Sequence, residues 1–439
     1  MTRLLRIALV LWLTGAALPA PADEHGADGD PPSGICVALG LDDAARLQQL
    51  TRGGRTLVHA RVASAAARDE LRAEILRRGF YGLASVEAGD SFDPLPYADN
   101  LANLVVADLD ALGKSAPAAA EILRVLAPGG VARVRRSGAW TRTVKPVATE
   151  MDQWTHWDYG PAGNAVSRDR QAGPTTALRW YAGPSTSDNA SDKVGMRIAD
   201  GRIVYLLREF EMSQFGRRQG PCLLVVRDAF NGTLLWRRPI DDVGGRGDDP
   251  ARFALTVVGG RIYAFPKAGG PLEAIDLNTG RTLVRYEQGA APPPYENHRF
   301  WQDPAEKFHL IVRVFDGKVL QCYRGAVHLL DEKTGRTLWT WSPGGQAQAF
   351  WVVVGEGKVF AAVTDAPLAK ARSSPACRLS SVVALDLATG RPAWRSNDFR
   401  AGFLFRMVYH DGAVIVPTFE NEKGREKIGY AGTYAVACL

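Results

Sequence analysis

Between residues 228 and 394 the chain repeats one nine-residue pattern four times: Asp228 to Trp236, Asp276 to Val284, Asp331 to Trp339 and Asp386 to Trp394. In each copy an Asp follows an apolar run and a Gly stands four residues later, at Gly232, Gly280, Gly335 and Gly390. Eight residues after the Asp comes a large apolar side chain, Trp236, Trp339 and Trp394 in three copies and Val284 in the other. Such a chain must fold as like units packed side by side, which constrains the architecture before any residue is assigned chemistry. The pattern reads as strand, tight turn, strand. The Asp carboxylate accepts hydrogen bonds from backbone groups in the turn, and the Gly supplies a position with φ above zero. The Trp opens the outgoing strand, where a broad ring fills the gap between one sheet and the next.

A second signal precedes each copy. Asp200-Gly201, Gly259-Gly260, Asp316-Gly317, Glu356-Gly357 and Asp411-Gly412 are turn dipeptides that open apolar strands. The glycines of the nine-residue pattern lie 48, 55 and 55 residues apart, room for four short antiparallel strands per unit, the size of a propeller blade. Five opening turns and four closing turns predict four whole blades and part of a fifth. Over roughly residues 151 to 439 the chain resembles the pyrroloquinoline-quinone-type (PQQ-like) β-propeller repeat family, whose blades carry this Asp-x-x-Thr-Gly-x-x-x-Trp turn. Quinone-dependent dehydrogenases occur in that family, and their chemistry needs a stacked planar cofactor, a cation held by carboxylates and amides, and an Asp base. An adjacent cysteine pair covers the other quinone face in those enzymes. The cysteines here, Cys36, Cys222, Cys322, Cys377 and Cys438, are far apart, and no calcium ligand set can be placed, so PQQ is not expected. The recurrence of Asp228, Asp276, Asp331 and Asp386 marks a turn rule rather than four active sites.

Residues 34 to 136 have a different rhythm. Ile35 to Leu39, Thr56 to His59, Ala84 to Val86, Leu104 to Ala107 and Val131 to Val134 read as strands. Asp42 to Leu50, Ala65 to Arg78 and Pro117 to Leu126 read as helices between them, which predicts a doubly wound, Rossmann-like sheet. Two stretches, Leu95-Pro96-Tyr97-Ala98-Asp99-Asn100 with Leu104-Val105-Val106, and Glu121 to Gly130, resemble class I S-adenosylmethionine (SAM)-dependent methyltransferases. The resemblance implies a cofactor loop after the first strand and an acidic residue after the second. The loop is Gly40-Leu41-Asp42-Asp43-Ala44: Gly40 is kept, but Asp42 and Ala44 stand where closely spaced glycines would let backbone approach a ligand. The second strand ends in His59-Ala60-Arg61-Val62-Ala63, with nothing acidic before Asp69. If SAM is bound, Gly40, Asp42, Glu87 and Asp99 are the residues to hold it. The altered loop predicts that the domain keeps the fold without the cofactor.

The rest of the chain sets the context. Arg3 and Arg6, the apolar run Ile7 to Leu18 and the small residues Ala20-Pro21-Ala22 read as a cleaved secretory signal over 1–22, followed by a linker over 23–33. The expected location is therefore periplasmic or extracellular, with no transmembrane segment after the signal. Residues 137–182 read as a joint and propeller lead-in, aromatic from Met151 to Tyr159 and ending near Trp180, with blades over 183–439. The formal charge of +6 comes from 53 basic and 47 acidic side chains without a long basic run, which gives no nucleic-acid signature. No cysteine or histidine spacing forms a metal motif: His298, His309, His328 and His410 show no paired spacing. Asp241-Asp242 and Asp248-Asp249 read as a solvated loop, and Ala291-Pro292-Pro293-Pro294 as a stiff surface loop. Thr433 to Leu439 reads as a strand that would precede a further turn, so either the sequence is expected to be a fragment of a longer protein, the favoured reading, or the lead-in segment or a partner closes the ring.

Three functions follow in order. The first is an exported, non-catalytic binding or scaffold protein that presents propeller loops to a protein or polymer. The second is a SAM-dependent methyltransferase with the propeller as recognition module. The third is a quinone-dependent dehydrogenase.

Overall fold

The computed structural model describes residues 33–174, 178–181, 194–213, 216–241, 254–267, 270–290, 310–323, 325–365, 378–404, 406–421 and 432–439. The chain divides into two compact units, Met1–Val147 and Ala148–Leu439. The leader at 1–22, the linker up to residue 32, the acidic pairs' loop at 242–253, the Pro-rich loop, His298, His309 and Cys377 lie outside the described residues.

In the first unit, strands β1 (Gly34–Leu39), β2 (Thr56–Val62), β3 (Ala84–Ala88), β4 (Ala102–Asp108), β5 (Leu126–Arg136) and β6 (Ala139–Val144) form one sheet. Its spatial order is β3-β2-β1-β4-β5-β6, parallel from β3 to β5 with β6 antiparallel on β5. Helices α1 (Ala44–Thr51), α2 (Ala65–Arg77), α3 (Leu109–Leu112) and α4 (Ala119–Val125) connect them. Local chemistry starts the two longer helices: Asp43 Oδ1 accepts from the Ala45 N–H at 2.8 Å, and Ser64 Oγ from the Ala67 N–H at 3.2 Å. Leu47, Leu71 and Ile75 pack on one face of the sheet, and Leu112, Ile122 and Val125 belong to a second cluster. The expected alternation of strands and helices is present, and the unit extends further than residue 136. The stretch assigned from 137 onward to a joint begins with β6, because the β5 edge still had backbone groups to pair.

The second unit is a series of blades. Blade 1 is β7 (Val194–Ala199), β8 (Arg202–Ser213), β9 (Gly216–Asp228) and β10 (Leu234–Ile240). Blade 2 is β11 (Thr256–Val258), β12 (Arg261–Ala264), β13 (Pro271–Asp276) and β14 (Thr282–Ala290). Blade 3 is β15 (Ile311–Phe315), β16 (Lys318–Tyr323), β17 (Ala326–Asp331) and β18 (Thr337–Trp341). Blade 4 is β19 (Gln348–Gly355), β20 (Lys358–Thr364), β22 (Ser381–Asp386) and β23 (Pro392–Ser396), with the two-residue β21 (Arg378–Leu379) between its second and third strands in sequence. Blade 5 contains β24 (Gly402–Leu404), β25 (Val408–His410), β26 (Ala413–Asn421) and β27 (Gly432–Cys438), and β21 joins its sheet through β24.

Each of the first four blades is an antiparallel meander. The first two strands are joined by a turn whose two central residues both have positive φ: Asp200 and Gly201 at 50° and 69°, Asp316 and Gly317 at 45° and 71°, Glu356 and Gly357 at 44° and 70°. That is the type I′ geometry whose twist matches the strands. Strands β7, β11, β15, β19 and β25 neighbour one another in series and form the inner edge of the blades.

Candidate functional site

In a doubly wound sheet a ligand sits outside the carboxyl ends of the strands, where the strand order reverses; here that is between β1 and β4. Three of the four sequence-derived SAM residues lie at this end. Gly40 and Asp42 follow β1, and Glu87 is near the end of β3. Asp99 does not lie there: it precedes the amino end of β4, at the opposite end of the strands, and ion-pairs with Arg124 at 2.5 Å. Glu87 is held by Arg72 at 2.6 Å, and Asp42 is exposed.

The loop after β1 is closely packed. A Cβ at Gly40 would stand 2.8 Å from the Asp108 carbonyl oxygen and 3.0 Å from Leu112 Cγ, so the loops after β1 and β4 are already in contact. Leu39 at the end of β1 and Leu109 and Leu112 after β4 belong to one buried cluster that runs along this face of the sheet. At β2 the His59 Nδ1 lies 2.6 Å from the Tyr97 hydroxyl. Burial, reinforced by the Arg61 charge, lowers His59, and burial raises Tyr97, so this pair is neutral near pH 7. In place of an acid for ribose hydroxyls the strand carries Arg61, whose guanidinium lies 5.6 Å from the centre of the Phe92 ring.

The second unit is organised around the segment from Trp154 to Gly163, which the sequence marked only as an aromatic lead-in. Five equivalent backbone N–H groups, each three residues before the glycine at the second central position of a type I′ or corresponding turn, donate to it in blade order. Ile198 donates to the Trp154 carbonyl at 3.1 Å and Val257 to that of Thr155 at 2.9 Å. Val314 donates to His156 Nε2 at 3.0 Å. Val354 donates to the Pro161 carbonyl at 3.1 Å and Tyr409 to that of Ala162 at 2.9 Å. One short segment is thus a hub for five blades.

Charge fixes the hub in the middle. Asp158 and Arg313, both buried, form a two-pronged ion pair, its second prong 3.0 Å long, and Arg313 Nε also donates to the Val352 carbonyl of blade 4 at 3.2 Å. Burial alone would raise the Asp158 carboxyl, but the Arg313 guanidinium holds it below the usual carboxylate range. His156 is pushed well below its ordinary value by burial and by Arg313. It therefore stays neutral: Nε2 accepts from Val314, and Nδ1–H donates to Thr155 Oγ1 at 2.7 Å. The sequence did carry a signal, since Arg313 stands alone in the apolar strand Ile311-Val312-Arg313-Val314. Its partner, 155 residues away, could not be read.

The repeated pattern proves to be a lock between blades. In three copies the Asp Oδ1 accepts both the N–H and the hydroxyl of the turn Thr: Thr279, Thr334 and Thr389. Asp228 instead takes the Phe230 and Asn231 N–H groups. The Trp of one blade reaches the turn of the next. Trp236 Nε1 donates to the Leu277 carbonyl and Trp339 Nε1 to that of Leu387, each at 2.9 Å, and a Cβ at Gly280 or Gly390 would meet those rings at 3.1 or 2.6 Å. Blade 2 has Val284 instead, which packs on Gly335, and Tyr286 supplies the polar contact by donating to the Glu332 carbonyl at 2.8 Å. Trp394 packs beside Phe360 at 5.8 Å.

Among the described residues no group of three or more His, Cys, Asp or Glu side chains could hold a metal ion, and no helix is long and apolar enough to cross a membrane. His328 bonds with Thr340 at 3.0 Å within blade 3.

No protein-family model matches the chain, and no curated protein does. Structural neighbours include SAM-dependent methyltransferases and BamB, a PQQ-like β-propeller protein. BamB from Moraxella catarrhalis aligns with 49% of this chain and 67% of its own at 18% identity and a TM-score of 0.28. The geranyl diphosphate C-methyltransferase of Streptomyces coelicolor A3(2) aligns with 24% of this chain and 39% of its own at 16% identity and a TM-score of 0.19. The YcgJ protein of Bacillus subtilis aligns with 24% and 45% at 13% identity and a TM-score of 0.19. The chain thus spans less than half the length of the methyltransferases it matches. At these scores the likenesses carry no weight on activity, and the fold assignment rests on strand order and register.

Proposed function

We propose that this chain is an exported binding or scaffold protein without catalytic activity of its own, whose propeller loops take a protein or polymer partner. In this reading the α/β unit keeps a doubly wound sheet and no longer holds SAM. The observation that carries it is the close packing after β1: Gly40 lies against Asp108 and Leu112, and Leu39, Leu109 and Leu112 are buried together. The residues present do not fit the cofactor. Asp42 and Ala44 stand at the glycine positions, Arg61 stands where an acid would meet the ribose, and Asp99 is at the wrong end of the strands. The periodic turn aspartates are all spent on turn hydrogen bonds, which favours structural over catalytic duty for them.

The test is titration calorimetry of the full chain with SAM. No heat of binding is expected up to about 1 mM, the range in which only very weak association remains. A micromolar dissociation constant would overturn the reading and restore the methyltransferase as the first choice.

A further inference from the structure

At the β5–β6 edge of the α/β unit, arginines gather on one face of the sheet. Val131 stands opposite Val144, Arg133 opposite Arg142 and Arg135 opposite Trp140, and Leu104, Val106 and Asp108 of β4 continue the three rows. Opposed residues share a face and side chains alternate along a strand, so these nine lie on one side of the sheet. Leu104, Val106, Val131 and Trp140 place it on the side of α1 and α2. Arg46 of α1 lies over the Trp140 ring, 4.9 Å from its centre.

Like charges directly opposite each other on paired strands weaken a sheet, so the facing Arg133 and Arg142 call for an anion. The carboxylate nearest in the rows is already committed: Asp108 takes Arg135 at 3.0 Å and the Ala111 N–H at 3.1 Å. Asp110, at the rim, is 3.9 Å from Arg135 and accepts the Ser137 and Gly138 N–H groups. Arg142 is exposed and forms no ion pair among the described residues, and Val144 in the next row is 44% exposed.

The same chain carries the matching charge. Residues 23–32, outside the described residues, run directly into β1 and contain Asp23, Glu24, Asp28 and Asp30 without a Lys or Arg. Gly34 opens β1 at the end of the strands where Val131 and Val144 lie. From β1 to β6 there are three strand spacings, about 14 Å, and ten residues reach up to about 33 Å. We propose that residues 23–32 form an acidic strap that lies across β4 and β5 onto β6, with its carboxylates on Arg133 and Arg142. A tethered anion acts at an effective concentration in the millimolar range, which favours this segment over an acidic chain from outside.

Cleavage of the full chain by endoproteinase Asp-N, which cuts before Asp, tests the strap when cuts at Asp28 and Asp30 are followed by mass spectrometry. A synthetic peptide of residues 23–34 at the same salt gives the unprotected rate. At low ionic strength the chain is expected to be cut there at least ~10-fold more slowly than the peptide. The protection should vanish at 1 M NaCl, where charges are screened beyond about 3 Å, and in Arg133→Gln/Arg142→Gln at low salt. Cleavage of the parent at the peptide's rate would overturn the proposal, as would protection that survives either change. Protection lost on dilution would also overturn it, by making the strap that of a second copy. So would a parent cut at the peptide's rate that binds poly-glutamate through Arg142, since the occupant would then be an outside acidic chain. If the double variant does not fold, Arg142→Gln and the salt series on the parent decide.

Discussion

His156 makes the second unit sensitive to acid. Its folded-state pKa is lowered by burial and by Arg313, so the unfolded chain takes up the proton first. The stability is complete above the unfolded value of about 6.5 and declines as pH falls toward the folded value, by about 1.4 kcal/mol per pH unit. Asp158, also lowered, adds a second loss below about pH 4. His156→Gln keeps an acceptor for the Val314 N–H and removes the titration. Denaturant midpoints between pH 7.5 and 5 should therefore fall more steeply for the parent than for the variant, whose remaining slope comes from His59 and His328, both also lowered by burial; an unchanged slope in His156→Gln would remove His156 from the account. Thiol chemistry separates the cysteines in the same way. Burial pushes the Cys36 thiol up to about 12, while Cys438 is exposed. Iodoacetamide at pH 8 should label Cys438 in minutes and leave Cys36 unmodified until the protein is unfolded.

At the scale of the element, two glycines with nearly equal backbone angles should respond differently to the same substitution. Gly317 (φ 71°) has nothing within 4 Å of a built Cβ, whereas Gly390 (φ 70°) faces the Trp339 ring at 2.6 Å. Gly317→Ala should cost only the left-handed backbone penalty of about 1–2 kcal/mol. Gly390→Ala should cost clearly more, because the ring must also move. Trp339→Ala should cost about 3 kcal/mol, and the double variant less than the sum, since the clash disappears with the ring. Chemical denaturation of the four proteins reads this directly, and simple additivity would argue against a lock. The strand and turn content of the blades was legible because the nine-residue pattern couples backbone need to side chain at fixed spacing. The pattern also placed the Trp between one sheet and the next; what it did not carry is the acceptor, the Leu387 carbonyl 48 residues beyond Trp339. In the α/β unit the altered loop at Gly40 and Asp42 was readable. Asp99 was named as a cofactor residue although it precedes β4, and the parallel pairing of β4 with β1 puts that position at the amino end of the strands. The stretch from Met151 to Tyr159 read only as an aromatic lead-in, and nothing local showed that the His156 ring takes the place of a backbone carbonyl in a series of five.

For the second unit as a whole, contacts between neighbouring blades alone would give an array that can lose its members one at a time. The segment 154–163 changes that, because it serves all five inner strands at once. Arg313→Ala would leave Asp158 buried without its partner, a loss of about 3–5 kcal/mol, and would loosen the hub at blades 3 and 4 together. Calorimetry of the parent should give one transition for this unit with matching van't Hoff and calorimetric enthalpies, and Arg313→Ala should broaden it. Equal widths would mean that the blades are coupled without the hub.

The position of the hub in the sequence has a further consequence for how the unit is made. Residues 154–163 leave the ribosome before any blade, so the acceptors for every inner strand exist before the donors are synthesised. Blade 1 closes a contact of 44 residues, from Trp154 to Ile198, and blade 5 one of 247, from Ala162 to Tyr409. Loop closure grows harder with that separation. The hub must therefore hold its shape on fewer blades while later ones are awaited, and vectorial synthesis turns a set of long-range contacts into an ordered series of additions to a template already in place.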